Sequence, residues 1–409
     1  MTGKRYSYLI AALLMLLPSA VTALEIEAIG LEVHGFASQG FAKGTRENDY
    51  IISNSGKGSF QFNEFGLNAS KQLLPELRIG AQIFAQKRGN YGHDRITLDW
   101  GYVDYRFRDW LGFRAGKIKN PIGLYGETRD TDSLRTFVFL PQPVYEDGMR
   151  DLFISTYGGG VYGTIPLGVG GELAYQAQLG TVFMSSDDGT ALRAASKILE
   201  GMPPALGVNY VKMTDMDPKL GVIHSLEWRP PVPGLRLVAT GFHGSMDAKA
   251  YTNAILPQYR NLGLSFTNYK LFNYGFEQTW RDLVVAAEFS TMDFKTSTMG
   301  RSVPSNLQSW YISATYQLTD WLQPGIYYTE RYSYRGDKDG SKYHLSTGRP
   351  AHNAYCRDFA MALKFDPVKH LTIKVEGHIV EGTAMLDASE FLTARKHSYL
   401  FATKLTLSF

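Results

Sequence analysis

Residues 77–86 read LRIGAQIFAQ, and this stretch decides the fold. All of its odd-numbered positions are apolar. Polar side chains stand between them at Arg78, Gln82 and Gln86, interrupted by Gly80 and Phe84. A period of two residues is typical of a β-strand whose two faces meet different surroundings. The stretch therefore predicts a strand with one apolar face and one wet face.

The same alternation recurs along the whole chain, in segments of roughly ten residues, which is the length of a transmembrane β-strand. We count sixteen segments, at residues 31–42, 59–72, 76–87, 95–107, 111–118, 152–165, 171–183, 218–229, 234–245, 267–280, 282–294, 306–318, 321–334, 354–366, 370–382 and 396–409. In strand four the alternation slips between Trp100 and Asp104, which predicts a β-bulge.

The connections between these segments fall into two classes that alternate without exception. Short turns are predicted at 73–76, 108–110, 166–170, 230–233, 281, 319–320 and 366–369. Long loops are predicted at 43–58, 88–94, 119–151, 184–217, 246–266, 295–305, 335–353 and 383–395. A membrane barrel with periplasmic turns and extracellular loops requires this pattern, whereas a soluble two-sheet fold does not. A β-helix would need a repeat of fixed period, and the sequence has none.

The fold class predicted from these patterns is all-β: a transmembrane antiparallel barrel of about sixteen strands. Closure follows because unpaired backbone groups in lipid cost several kcal/mol each. A barrel of this size encloses a lumen wide enough for water.

The N-terminus resembles a secretory signal. Lys4 and Arg5 precede an apolar core at 9–17, Pro18 ends it, and small residues lead to Ala23. A retained anchor is the alternative, but the apolar core is shorter than the roughly 20 residues that span a bilayer. We therefore predict a signal peptide over 1–23 and an outer-membrane barrel over 24–409.

Composition excludes several classes of protein. Cys356 is the only cysteine, so no intramolecular disulfide or cysteine-based metal site is expected. Without Lys4 and Arg5 the 42 basic residues become 40 against 39 acidic ones, a net charge of +1, which argues against a nucleic-acid partner. The 25 tyrosines suit membrane–water interfaces.

Three regions resemble a known family. The end, Lys404–Phe409, is similar to the terminal aromatic strand that serves as the assembly signal of outer-membrane proteins. Residues 33–41, VHGFASQGF, resemble the first strand of proteobacterial porins. Residues 113–124, FRAGKIKNPIGL, resemble a strand and loop entry in the porin group that includes the phosphate-selective O and P porins. The resemblance implies a homotrimer in the outer membrane of a Gram-negative bacterium, with Phe409 as the assembly signal.

The resemblance also implies that the third long loop, 119–151, folds into the lumen and narrows it. Its stretch Leu134–Leu140 is apolar enough to pack against the barrel wall, while the rest is dense in charge. The predicted constriction consists of Lys117, Lys119, Glu127, Arg129, Asp130, Asp132 and Arg135. The predicted lumen-lining charges are Arg78, Asp104, Arg106 and Arg114. The alternatives are a solvated loop and ion pairs that only stabilise the barrel.

Enzyme-like patterns are weak. Glu376 and His378 project to one face of a strand, but two ligands without a third are a poor metal signal. No Ser-His pair with an orienting residue is recognisable. We therefore expect no catalytic residues, no metal and no cofactor.

Three functions remain open. The first is a passive porin for small hydrophilic solutes and ions, with inorganic oxyanions favoured. The second is a non-transport barrel that acts as a scaffold for a lipoprotein or redox partner. The third, an outer-membrane barrel enzyme, has the least support.

Overall fold

A computed structural model describes residues 24–26, 30–45, 48–386 and 394–409 of the chain. The predicted signal peptide over 1–23 lies outside these residues. Within them, sixteen antiparallel strands close into one barrel, as predicted. The last strand pairs back with the first, from Leu400 opposite Gly44 to Ser408 opposite Phe36.

The strands follow one another around the wall in chain order. They are β1 Leu31–Gly44, β2 Phe62–Leu74, β3 Leu77–Arg88, β4 Thr97–Arg108, β5 Leu111–Lys119, β6 Ser155–Pro166, β7 Glu172–Thr181, β8 Val211–Pro218 with Gly221–Arg229, β9 Leu235–Thr252, β10 Asn261–Trp280, β11 Leu283–Thr298, β12 Arg301–Tyr316, β13 Leu322–Tyr332, β14 Tyr355–Val368, β15 Leu371–Gly382 and β16 His397–Ser408.

Two details reconcile these sixteen strands with the 18 paired segments of the sheet. A short strand, Leu24–Ile26, pairs with the start of β1. Strand β8 is interrupted: Gly221–Arg229 pairs with both β7 and β9, whereas Val211–Pro218 pairs with the far part of β9. The predicted strand 218–229 was therefore too short at its N-terminal end. The predicted bulge in β4 lies slightly earlier, between Leu98 and Trp100.

The predicted long loop at 295–305 was wrong. Strands β11 and β12 stay paired up to Thr298 opposite Arg301, and a two-residue turn joins them. Met299 and Gly300 both have positive φ, 50° and 74°, the backbone of a tight hairpin turn. Likewise β9 and β10 continue to Thr252 and Asn261, which shortens the predicted loop 246–266. In both hairpins the strands stay hydrogen-bonded beyond the last residues of the apolar alternation. The reason is that these hairpins extend beyond the apolar outer band of the barrel.

Within the described residues, the connections at the long-loop end contain three α-helices: α1 Arg150–Phe153, α2 Gly189–Gly201 and α3 Ser341–Thr347. The side chain of Asp188 caps α2 by accepting a hydrogen bond from the Gly189 amide at 2.8 Å. Ala191 and Ala195 of α2 pack against the raised wall of β8–β10. None of the described helices is long and apolar enough to cross a membrane.

The outward face of the barrel carries large exposed apolar side chains. Met361 is 56% and Tyr399 63% exposed, although each alternates with buried inward neighbours. Tryptophans mark the short-turn end, with Trp110, Trp228, Trp280 and Trp321 all exposed beside turns. An apolar outer band bordered by aromatic residues is the outer surface of a transmembrane barrel.

Candidate functional site

The connection between β5 and β6, residues 120–154, lies inside the barrel. Its Asp132 contacts Lys374 of β15 and Lys404 of β16. Its Leu124 amide donates to Glu288 of β11 on another side of the wall, at 2.6 Å. Because these strand side chains face inward, the loop, which we call the inner loop, crosses the lumen and contacts distant parts of the wall.

The first anchor of the inner loop is Asp132. Its Oδ1 lies 2.9 Å from Nζ of Lys374 and 3.1 Å from Nζ of Lys404, and its Oδ2 accepts from Thr406 at 2.7 Å. Burial alone would raise the pKa of Asp132, but the two ammonium groups and Arg135 hold it well below its usual value. The carboxylate therefore stays charged and ties the loop to β15 and β16.

A second anchor joins the inner loop to β3. Asp147 contacts Arg88 of β3 and Arg129 of the loop itself, each at 2.5 Å. Burial would raise the pKa of Asp147, but the two guanidinium groups lower it below its usual value. Arg129 was predicted to line the constriction, but its guanidinium group forms an ion pair with Asp147 inside the loop.

A third anchor joins the inner loop to β4. Arg150 lies 2.7 Å from Asp99 of β4 and 2.7 Å from Asp130. Asp130 also contacts Lys119 at 3.0 Å, at the end of β5. All four groups are mostly shielded from solvent, so the predicted Asp130 is a structural partner of cations on both sides.

Glu146 links the inner loop to α2. Its carboxylate lies 2.7 Å from Arg193 of α2 and 2.6 Å from Arg331 of β13. Arg193 also donates to the carbonyl oxygens of Leu386 and Ala384 in the last long connection. One buried carboxylate therefore couples the inner loop, the helix at the mouth and the wall.

The apolar part of the inner loop packs as predicted. Phe137 lies 5.0 Å from Tyr327, and Phe139 stacks on Phe62 at 5.1 Å between ring centroids. Between them, the Val138 amide donates to Glu376 of β15 at 2.5 Å. The start of the stretch differs, since Leu134 is 69% exposed.

Glu376 and His378 take part in a buried polar cluster. Nε2 of His378 lies 2.9 Å from Glu376, and its Nδ1 lies 3.0 Å from Asp358. Tyr50 also donates to Asp358. The described residues contain no group of three or more His, Cys, Asp or Glu arranged to hold a metal ion. The cluster backs the apolar stretch of the loop.

The sector of the wall from β4 to β10 keeps charged groups that reach solvent. Arg114 is within 2.9 Å of Asp104 and 3.6 Å of Glu127, and the Glu127 side chain is 42% exposed. In the same sector Arg236 lies 3.1 Å from Glu277, with its side chain 25% exposed. The open part of the lumen thus borders this sector.

Other predicted lumen charges lie towards the short-turn end. Arg78 contacts Glu32 at 3.3 Å, with both side chains 55% exposed. Arg106 contacts Asp109 at 3.0 Å, with its side chain 62% exposed. Both are accessible, and both have a carboxylate partner.

Lys117 does not lie where the sequence placed it. It pairs across the sheet with Gly101 and Tyr157, and Tyr157 is 43% exposed on the outer face. Its ammonium donates to the Leu98 carbonyl and lies 5.0 Å from the Tyr157 ring centroid. The alternation of β5 turns Lys117 outward, because Arg114 on the opposite parity faces the lumen. Lys117 is therefore not a constriction residue.

The structure brings most of the other predicted residues together, but around partners that the sequence did not assign. Asp132, Asp130 and Arg129 are buried, whereas Glu127 reaches the open lumen. The partners that the prediction lacked are Arg88, Glu146, Asp147, Arg150, Arg193, Arg331 and Lys404. The alternation of β16 would have placed Lys404 on the inward face, but no local sequence pattern indicates its ion pair with Asp132.

A closed barrel with an apolar outer face and an inner loop defines the chain as an outer-membrane β-barrel protein. No protein-family model matches the sequence, and no curated protein sequence matches it either.

Solved structures with the same fold are outer-membrane porins and related proteins. OmpF of Salmonella typhi, in a complex with daunomycin, is 11% identical with a TM-score of 0.56, covering 95% of this chain and 100% of that one. The anion-selective porin of Comamonas acidovorans is 11% identical with a TM-score of 0.52, covering 93% and 99%. OmpT of Vibrio cholerae in a trimer form is 10% identical with a TM-score of 0.52, covering 93% and 99%. The likeness establishes the porin fold; the resemblance to phosphate-selective porins stays a prediction.

Proposed function

We propose that this barrel is a porin for passive diffusion of small hydrophilic solutes and ions across the outer membrane. The observation that carries the proposal is the uneven filling of the lumen. The inner loop is fastened by ion pairs to β3, β4, β13, β15 and β16, and its Leu124 and Tyr125 also reach β11 and β10. Beside it, Arg114, Glu127 and Arg236 keep solvent-accessible charge. The loop then acts as the constriction, and the solute path runs past the solvent-accessible side chains of Glu127 and Arg236.

Single-channel recording in planar lipid bilayers tests the proposal. The purified protein should insert in ohmic conductance steps that scale with salt concentration. A barrel that serves as a scaffold or an enzyme would show no such steps. Their absence from protein shown to be folded by its β-sheet circular dichroism would reject the porin function.

We also propose a weak preference for inorganic oxyanions, carried by Arg78 and Arg114. A guanidinium stays charged at ordinary pH and matches oxyanion geometry. The preference should be small because Glu32 and Asp104 lie 3.3 Å and 2.9 Å from these arginines and offset their charge. Conduction also requires weak binding.

Reversal potentials in a salt gradient test this preference. Changing Arg78 and Arg114 together to Gln should move the reversal potential towards cation selectivity without loss of conductance. Arg301→Gln at the tip of the β11–β12 hairpin is the control and should leave the potential unchanged. If the double variant behaves like the control, the two arginines have only a structural role.

A homotrimer is the proposed assembly. The porin-like fold and the trimer form described for the Vibrio cholerae protein support it. Chemical cross-linking of the protein in intact outer membranes should trap a species of three chains. A purely monomeric pattern, with a known trimeric porin cross-linked in the same sample, would contradict it.

A further inference from the structure

The inner loop bonds tightly to the wall close to its own start. Residues 123–125 each donate a hydrogen bond to a different strand. The acceptors are the Thr240 hydroxyl of β9 at 3.1 Å, Glu288 of β11 at 2.6 Å and Glu277 of β10 at 2.8 Å. Three successive residues of the loop are therefore fixed to three adjacent strands.

The side chain of Leu124 fills a socket in this part of the wall. It packs with Val238 of β9, Ala286 of β11 and Tyr311 of β12, and all of them are buried. The floor of the socket is Gly275 of β10, where a Cβ would lie 2.7 Å from Cγ of Leu124 and 3.0 Å from its Cδ2. We call these four wall residues the Leu124 socket. Only a glycine at its floor leaves room for the leucine.

Leu124 has no space to move aside within the socket. The atom nearest to an added Cβ is Cγ, the branch point of the side chain, and the amide of the same residue is held by Glu288. The preceding residue, Gly123, has φ 74°, and a Cβ there would lie 2.6 Å from the Tyr145 hydroxyl. Close-packed interiors transmit such crowding to the backbone. An added methyl group at position 275 therefore pushes residues 123–125 off the wall.

The segment that the socket holds borders the solute path. Arg236 donates to the Leu124 carbonyl at 3.4 Å, and its side chain is 25% exposed. Glu127, three residues after Leu124, lies 3.6 Å from Arg114 and is 42% exposed. Because the segment lies between the β9–β11 wall and the open lumen, a shift away from that wall narrows the path.

We propose that Gly275 sets the width of the solute path by seating Leu124 in the wall. Gly275 is a positioning residue, since the loop covers it and it acts only through the loop. The inference rests on the proposed porin function, and it names the wall residue that fixes the size limit of the pore.

Swelling of proteoliposomes in glycerol and in sucrose tests the proposal, together with single-channel conductance in planar bilayers. The ratio of the sucrose rate to the glycerol rate depends on pore width and not on the amount of inserted protein. Gly275→Ala should lower this ratio roughly two- to fivefold, because a narrower path excludes the larger solute first. Its single-channel conductance should fall as well.

A second substitution separates the socket from a general effect on the barrel. Leu124→Ala combined with Gly275→Ala removes the side chain that the added methyl group meets, and it should restore the ratio. Leu124→Phe enlarges the loop side chain instead of the socket floor and should lower the ratio like Gly275→Ala. Gly377→Ala in β15 is the matched control, since a Cβ there has no atom within 4 Å, and the ratio should not change.

An unchanged ratio in both Gly275→Ala and Leu124→Phe would overturn the proposal. A lowered ratio that the double variant does not restore, or an equal fall in Gly377→Ala, would overturn it too. In these cases normal conductance of the unaltered protein leaves the porin function intact. An unaltered protein that is folded but passes neither solute nor ions would reject the porin function and the role of Gly275 together.

Discussion

At the scale of single residues, Asp132 illustrates how the inner loop is held. Its side chain is 1% exposed and contacts two lysines whose side chains are equally inaccessible. A buried charge without an opposite charge beside it destabilises the fold strongly. The Asp132 carboxylate and the two ammonium groups therefore stabilise one another. Asp132 was predicted as a constriction charge, yet its contacts make it a fastening point between the loop and the wall.

Asp132→Asn should destabilise the protein by about 3–5 kcal/mol, because it leaves Lys374 and Lys404 buried with insufficient negative charge. Guanidinium unfolding of detergent-refolded protein measures the change. Asp109→Asn is the control: its side chain is 86% exposed beside Arg106, and its loss should leave the midpoint in place. Equal midpoints for both variants would mean that water reaches the Asp132 site.

The buried carboxyl group of Asp151 predicts that the stability of the folded protein depends on pH. Its Oδ1 accepts from the Thr190 amide and hydroxyl at 2.9 Å and 2.6 Å, but its buried Oδ2 has no hydrogen-bond partner among the described residues. Burial raises the pKa of Asp151 to about 6. Since the usual value is about 3.9, protonation stabilises the fold. That stability is fully present below about pH 4 and is lost as the pH rises through about 6.

Comparing Asp151→Asn with the unaltered protein between pH 4 and pH 7.5 measures this contribution. The difference in thermal unfolding temperature between the two proteins should change across that interval, because the amide cannot ionise. A difference that stays constant with pH would show that Asp151 keeps its ordinary pKa.

At the scale of elements, the terminal strand β16 closes the barrel through Phe409. Its amide donates to the Gly35 carbonyl at 2.9 Å, and its carbonyl accepts from the Gly35 amide at 3.1 Å. The aromatic ring lies over Gly35, where a Cβ would come within 2.6 Å of it. The last residue therefore contributes both backbone pairing and apolar surface at the seam of β16 and β1.

Deleting Phe409 should lower the amount of folded barrel in the outer membrane and leave aggregates in the periplasm. Its resemblance to an assembly signal and its contacts at the seam both lead to this expectation. Fractionation followed by immunoblotting measures the yield. Phe409→Tyr keeps the ring and serves as the control; normal assembly of the deletion would refute the role.

At the scale of the whole molecule, the large connections lie at one end of the barrel, and the tight turns lie at the other end apart from the two-residue turn between β11 and β12. Leu345, in the long connection that contains α3, is 84% exposed, and Val169 in a short turn is 98% exposed. The native Cys356 is fully buried. These positions allow the orientation in the membrane to be tested by cysteine labelling.

Leu345→Cys should react with a large, membrane-impermeant maleimide on intact cells, because the long-loop end is expected to face outwards. Val169→Cys should react only after the outer membrane is permeabilised. The unaltered protein controls for Cys356. Labelling of Val169→Cys alone on intact cells would reverse the predicted orientation.

The barrel itself was predictable because its signal is local. Alternation in segments such as Leu77–Arg88 depends only on each strand lying between an apolar and a wet phase. The predictions failed where this alternation is absent. The β11–β12 hairpin continues past its apolar residues, and a helix lies in the predicted loop 184–217. Lys117 was assigned to the constriction although the alternation of β5 places it on the face opposite Arg114.

The sequence by itself determined the fold class and the strand order, and its resemblance to porins implied which loop enters the lumen. Only the tertiary structure decided which charges face the open lumen. Lys374 and Asp132 are 242 positions apart, so no local pattern reveals their pairing. Burial then separates equivalent-looking residues: Asp132 is held between lysines, while Glu127, five positions earlier, remains open to water. The physical reason is that strand alternation follows from one solvent boundary, whereas ion pairing inside the barrel depends on three-dimensional proximity and the cost of removing each charge from water.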